Sequence, residues 1–85
     1  MDDASLLHEI EHIIQEVFAN PGAAVTRETV ASDIDGWDSL SHAILVLRIE
    51  SAFGIEFPTD EVYSFSNVGE LADRTAQLMT TQKTS

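Results

Sequence analysis

Three groups of residues in this chain have types and spacings that could do chemistry. The run Asp33-Ile34-Asp35-Gly36-Trp37-Asp38 has the composition of a calcium loop. Its register does not fit one: with Gly36 as the sixth residue, Ala31 comes first and His42 twelfth, where a carboxylate and a bidentate Glu belong. Starting from Asp33 instead puts Asp38 at the glycine position and Ile44 at the last. His8 and His12 are one helical turn apart, but only Glu9, Glu11 and Glu16 lie near enough in sequence to complete a zinc site. They read as part of a solvated stripe with Gln15, and no metal site is assigned. Ser39 and His42 sit at i and i+3, a possible nucleophile and base. Such a pair also needs an orienting group, an oxyanion hole and a concave pocket, and a chain of 85 residues has little volume for one. No catalytic residue is assigned.

What remains is the junction itself. Asp38 is a good N-cap, and Ser39 would then stand in the first turn of a helix. Such residues start helices everywhere. A helix start nonetheless offers unpaired amides and a positive dipole end, a favourable setting for a phosphate ester.

The elements that position this junction follow from the apolar spacing. Leu6, Ile10, Ile13 and Val17, widened by Leu7, Ile14 and Phe18, predict an amphipathic helix over about residues 4–19. Asp2 and Asp3 suit its N-terminal end and Asn20-Pro21-Gly22 its stop. Residues 20–37 have mixed polarity with a few apolar anchors (Val25, Val30 and Ile34) and read as a long ordered loop, more often functional than idle at that length. A second helix starts after Asp38, with Leu45, Val46, Ile49 and Phe53 as its core stripe and Gly54 as its end. Ile55-Glu56-Phe57 is too short for a stable sheet, and Pro58 opens a short helix around 59–64. The last helix opens at Asn67, with Glu70 completing a capping box and Val68, Leu71, Ala72, Thr75 and Leu78 facing inward. The expectation is an all-α, small four-helix bundle, three main helices and one short one, in a single domain over 1–85. It is ordered over about 4–79, with a frayed tail over 80–85.

Charge narrows the partners. Fifteen Asp and Glu against four Lys and Arg give a net charge of −11. Such a chain repels nucleic acid and anionic membrane surfaces and favours basic partners. The acid clusters in residues 1–19 and 33–61, leaving the C-terminal segment neutral. With 44% hydrophobic residues the chain can still build a core, and it has no cysteine. No apolar run suffices to span a membrane, and the acidic N-terminus is unlike a secretory signal. A cytoplasmic monomer without nucleic-acid binding or membrane insertion is expected.

Residues 36–54, Gly-Trp-Asp-Ser-Leu-Ser-His-Ala-Ile-Leu-Val-Leu-Arg-Ile-Glu-Ser-Ala-Phe-Gly, resemble the Asp-Ser-Leu segment and second helix of acyl carrier proteins. Ile10, Ile13, Ile14 and Phe18 resemble that family's first-helix core. The segment from Glu56 through Pro58 to Glu61 is similar to the entry to its third helix, and Asn67-Val68 to the start of its fourth. The resemblance implies a non-catalytic carrier. A phosphopantetheinyl transferase would attach 4'-phosphopantetheine from coenzyme A to Ser39, and the arm's thiol would hold acyl groups as thioesters, which squares with a chain lacking cysteine. Asp38 and Leu40 match the residues flanking the family's serine. Ile44, Leu47, Glu50, Glu56, Asp60 and Glu61 are the implied docking residues for transferase and for acyl-loading and acyl-processing enzymes with basic or apolar patches.

The departures are informative. Ser41, Ile44 and Ser51 stand where fatty-acid members often carry Asp or Glu, and Arg48 adds a positive charge. A dedicated carrier of a polyketide, specialised fatty-acid or lipid, or hybrid pathway is therefore expected. A peptidyl or aminoacyl carrier, and a helical interaction domain that does not use the serine, are the competing readings. Helical period alone leaves Ile44 and Leu47 either in contact with partners or packed under the long loop. Trp37 either shields the arm or anchors the loop.

Overall fold

The computed structural model describes residues 2–82. Three helices, α1 (Asp3–Val17), α2 (Ser39–Phe53) and α3 (Val68–Thr81), are joined by long connections that each contain one 3₁₀ turn, at Ala31–Asp33 and at Thr59–Glu61. Helix α1 is the element against which both α2 and α3 pack. It contributes Leu6, Ile10, Ile13 and Ile14 to the core, where they meet Leu45, Val46 and Ile49 from α2 and Val68, Leu71, Ala72 and Leu78 from α3. Thr75 is fully buried with them, and its hydroxyl donates to the Leu71 carbonyl at 2.8 Å, so it leaves no unpaired polar atom.

The helix ends have local causes. Asp2 caps α1 by accepting from the Ser5 amide at 2.8 Å. The helix stops at Val17, short of the expected 19, because Ala19 turns left-handed (φ 51°) and the Asn20 amide folds back to the Gln15 carbonyl. Gly54 ends α2 with φ 65°, a conformation that strains any residue with a Cβ. Asn67 caps α3 through the Glu70 amide at 2.9 Å. The expected reciprocal bond differs: the Glu70 carboxylate takes the Ser66 amide, one residue beyond the cap. Helix α3 also outruns the expected fraying point. Thr80 and Thr81 are helical, and the Gln82 amide side chain bonds both backbone groups of Glu56 at 2.8 Å. Positions 83–85 of the expected tail lie outside the described residues.

The short helix expected over 59–64 is a single 3₁₀ turn, followed by a turn through Val62 and Tyr63. Past that turn the chain is tied to α2 instead: the Val62 carbonyl accepts from Nε2 of His42 at 2.6 Å and the Tyr63 hydroxyl donates to the Ser39 carbonyl at 3.1 Å. The segment before it alternates, with Ile55 and Phe57 buried and Glu56 exposed.

The long loop is ordered by bonds from the helices. Glu11 accepts from the Val25 amide, and Gln15 donates to the Ala23 carbonyl. Val25 and Ile34 are buried as expected, and Val30 is half-buried. Between Arg27 and Thr29 the loop lies on the start of α3: the Val68 amide donates to the Thr29 carbonyl at 2.9 Å and the Gly69 amide to the Arg27 carbonyl at 2.8 Å. An ion pair between Arg27 and Asp73, 2.7 Å, lies beside this seam.

Candidate functional site

The junction between loop and α2 is built around Asp38. Its carboxylate accepts from the Ser41 amide at 2.9 Å, and its amide donates to Ser41 Oγ at 2.8 Å, a closed capping box. Ser41 Oγ also lies 2.7 Å from the Gly36 carbonyl and 3.0 Å from the Asp38 carboxylate, so its single proton serves either. The Ser41 amide, then its hydroxyl, hold the Asp38 carboxyl below its ordinary value. Gly36, at φ 88°, makes the turn that delivers the chain into this cap.

Ser39 is thereby fixed as the first residue of α2, exposed. Among the described residues its hydroxyl is engaged in no hydrogen bond, while its neighbours Asp38 and Ser41 are committed to each other. The first turns of α2 and α3 differ in the same sense. At α3 the amides are covered by loop carbonyls. At α2 the cover is the Asp38 side chain alone, which leaves the end of the helix open to solvent.

Beside the serine runs a ladder of rings that sequence reasoning did not anticipate. Phe18 packs on Trp37 (centroids 5.2 Å), Trp37 stacks on His42 (6.0 Å) and His42 packs on Tyr63 (5.4 Å). The polar atoms of these rings are matched. Trp37 Nε1 donates to His42 Nδ1 at 3.0 Å, which leaves Nε2 of a neutral imidazole to donate to the Val62 carbonyl. Tyr63 donates to the Ser39 carbonyl at 3.1 Å. Trp37 is thus half-buried and anchors the loop, while its ring also borders the serine. The i to i+5 spacing of Trp37 and His42 signals nothing by itself, and Tyr63 lies 24 residues from Ser39.

The other expected site residues divide by environment. Leu40 is 73% exposed, Ile44 45% and Leu47 64%, so Ile44 and Leu47 do not pack under the loop. Their i, i+4, i+7 spacing aligns the three on one outer face of α2. Arg48 pairs with Glu16 of α1 at 3.3 Å. Glu56 and Asp60 are exposed. Glu50 and Glu61 are half-buried and also make bonds within the protein. Glu50 accepts from the Phe57 amide at 2.7 Å and so shapes the chain after α2, and Glu61 receives a two-nitrogen bond from Arg74 of α3, at 2.7 and 3.1 Å.

Residues 8–75 match the family model described as the phosphopantetheine attachment site. This chain belongs to the acyl carrier protein family. The acyl carrier protein of Guillardia theta is 31% identical over 77 residues, covering 91% of this chain and 95% of that one. That of Acidothermus cellulolyticus is 35% identical over 68 residues, covering 80% and 81%. The solution structure of a holo acyl carrier protein from Geobacter metallireducens superposes with a TM-score of 0.81 at 38% identity, covering 89% of this chain and 87% of that one. As a member, the protein is a non-catalytic carrier. Its prosthetic group is phosphopantetheine, and its partners are a phosphopantetheinyl transferase and acyl-processing enzymes. An unbonded, exposed hydroxyl at an open helix end fits that group, since a phosphodiester there meets amides and solvent and displaces nothing. None of the helices is long and apolar enough to cross a membrane, among the described residues.

Proposed function

We propose that Ser39 is the attachment point of this acyl carrier protein and that the outer face of α2 docks its enzymes. The observation that carries the first part is the free, exposed Ser39 hydroxyl beside a cap whose other polar groups are spent. Ser39 Oγ forms a bond to phosphorus as the pyrophosphate bond of coenzyme A breaks. Its proton passes to a base of the transferase, and adenosine 3',5'-bisphosphate leaves. Asp38 holds Ser39 in the first helical turn and keeps Ser41 turned inward. When bound, the arm supplies a terminal thiol on which acyl groups are held as thioesters and presented at high effective concentration.

The docking face supports a dedicated carrier of a polyketide, specialised lipid or hybrid pathway. Leu40, Ile44 and Leu47 expose an apolar face, with Ile44 standing where fatty-acid members often carry a carboxylate, and Arg48 of α2 is turned to Glu16. Partners with an apolar seat, rimmed by basic groups for Glu56 and Asp60, fit this surface.

Intact mass after incubation with coenzyme A and a promiscuous phosphopantetheinyl transferase tests the attachment. The expected result is one phosphopantetheine increment on the wild type and none on Ser39→Ala, with unchanged helical circular dichroism. An increment retained by the variant, or none on the folded and unmodified wild type, overturns the assignment.

A further inference from the structure

The ring ladder does more than brace the loop. Between Trp37, His42, Tyr63 and Phe65 lies an open cleft of about 300 Å³ whose rim includes Ser39 itself. That is larger than the ~150 Å³ that accommodates a benzene-sized group. A smaller recess of about 80 Å³ shares Trp37, His42 and Phe65 with it and is otherwise walled by the loop at Val30 and by Val68 and Leu71 of α3. The nitrogen of Trp37 and both nitrogens of His42 are bonded within the protein, as is the hydroxyl of Tyr63. The rings therefore offer a ligand mainly their faces, and the polar side chains of the lining, Asp38 and Ser39, stand at the rim. The Asp38 carboxylate is held there by Ser41.

We propose that this cleft seats the dimethyl-substituted pantoyl portion of the phosphopantetheine arm, so that the arm lies against the protein from its root. The inference rests on Ser39 as the attachment point. Connectivity selects the occupant: the quaternary carbon with its two methyl groups follows the phosphate by a few covalent bonds, and it is the first apolar group the arm presents. The phosphate stays outside with the solvent and the open end of α2, and the methyl groups turn to the rings. Burial of apolar area against Trp37 and Tyr63 is the driving force. The seat belongs to this chain's own ring set, drawn from three separate segments.

Proton NMR of the apo and holo proteins tests it, with loading verified by intact mass. In the holo protein the two pantoyl methyl resonances, already distinct in free coenzyme A because they flank a stereocentre, should move upfield of their free positions by different amounts and give nuclear Overhauser contacts to the Trp37 and Tyr63 rings. Tyr63→Ala, once its loading is complete by intact mass, should return both methyls toward the free positions. Methyls at their free shifts in a fully loaded wild type, with no contacts to the rings, overturn the proposal while leaving Ser39 as the attachment point. An absent mass increment overturns both.

Discussion

Gly69 sits in the first turn of α3, where the long loop passes over it, and the substitution Gly69→Ala probes whether that seam holds the site's floor in place. A Cβ built there meets the Arg27 carbonyl oxygen at 2.9 Å and the Arg27 Cβ at 3.1 Å. The same carbonyl accepts the Gly69 amide at 2.8 Å, so it cannot retreat without lengthening that bond. Overpacking of this kind costs about 1–3 kcal/mol. The gain from replacing glycine in a helix is at most about 1 kcal/mol, and smaller in a first turn. The net expectation is a loss of about 1–2 kcal/mol, which lowers Tm by roughly 5–15 °C in a domain of this size. Thermal unfolding followed by circular dichroism measures it, with Gly22→Ala as the control. The Cβ of that variant meets nothing closer than Asn20 Oδ1 at 3.9 Å, so its stability should stay within about 0.5 kcal/mol. A Gly69→Ala protein that melts at or above the wild-type temperature refutes the close approach of loop and helix.

Two further outcomes follow from the site. The Asp38 carboxyl is held below its ordinary value of about 3.9, so its cap contributes fully above that pH and is lost as pH falls through the depressed value. Asp38→Asn caps comparably without titrating, so urea denaturation between pH 6 and 2.5 should show the variant losing less stability than the wild type, and parallel acid limbs refute this. On the docking face, Ile44→Asp and Leu47→Asp should each lower kcat/KM for loading by the transferase about tenfold, worth ~1.4 kcal/mol, while leaving Tm nearly unchanged at these exposed positions. Loading at the wild-type rate by both variants removes that face from the transferase interface.

Much of the architecture was legible because it is local. The period of Leu6, Ile10 and Ile13, the Asp38 cap and the left-handed stop at Gly54 depend on neighbours a turn away, and each falls where the spacing predicts. The miss at residues 59–64 has the opposite origin: Val62 and Tyr63 are tied to His42 and Ser39 of α2, 20 and 24 residues earlier in the chain, and no window around Pro58 contains that information. The internal bonds of Glu50 and Glu61 were illegible for the same reason, since the Phe57 amide and the Arg74 guanidinium that engage them come from other elements.

The sequence by itself determined three helices, a serine at the first turn of the second, and an acidic chain whose motif resembles the carriers, because helix periods, caps and net charge are properties of near neighbours. Only the tertiary structure decided that Ile44 and Leu47 face solvent, that the loop is sewn to α3 at Gly69, and that four rings line up from Phe18 to Tyr63 beside Ser39. Those arrangements depend on which faces meet once the core closes, and long-range packing sets that choice.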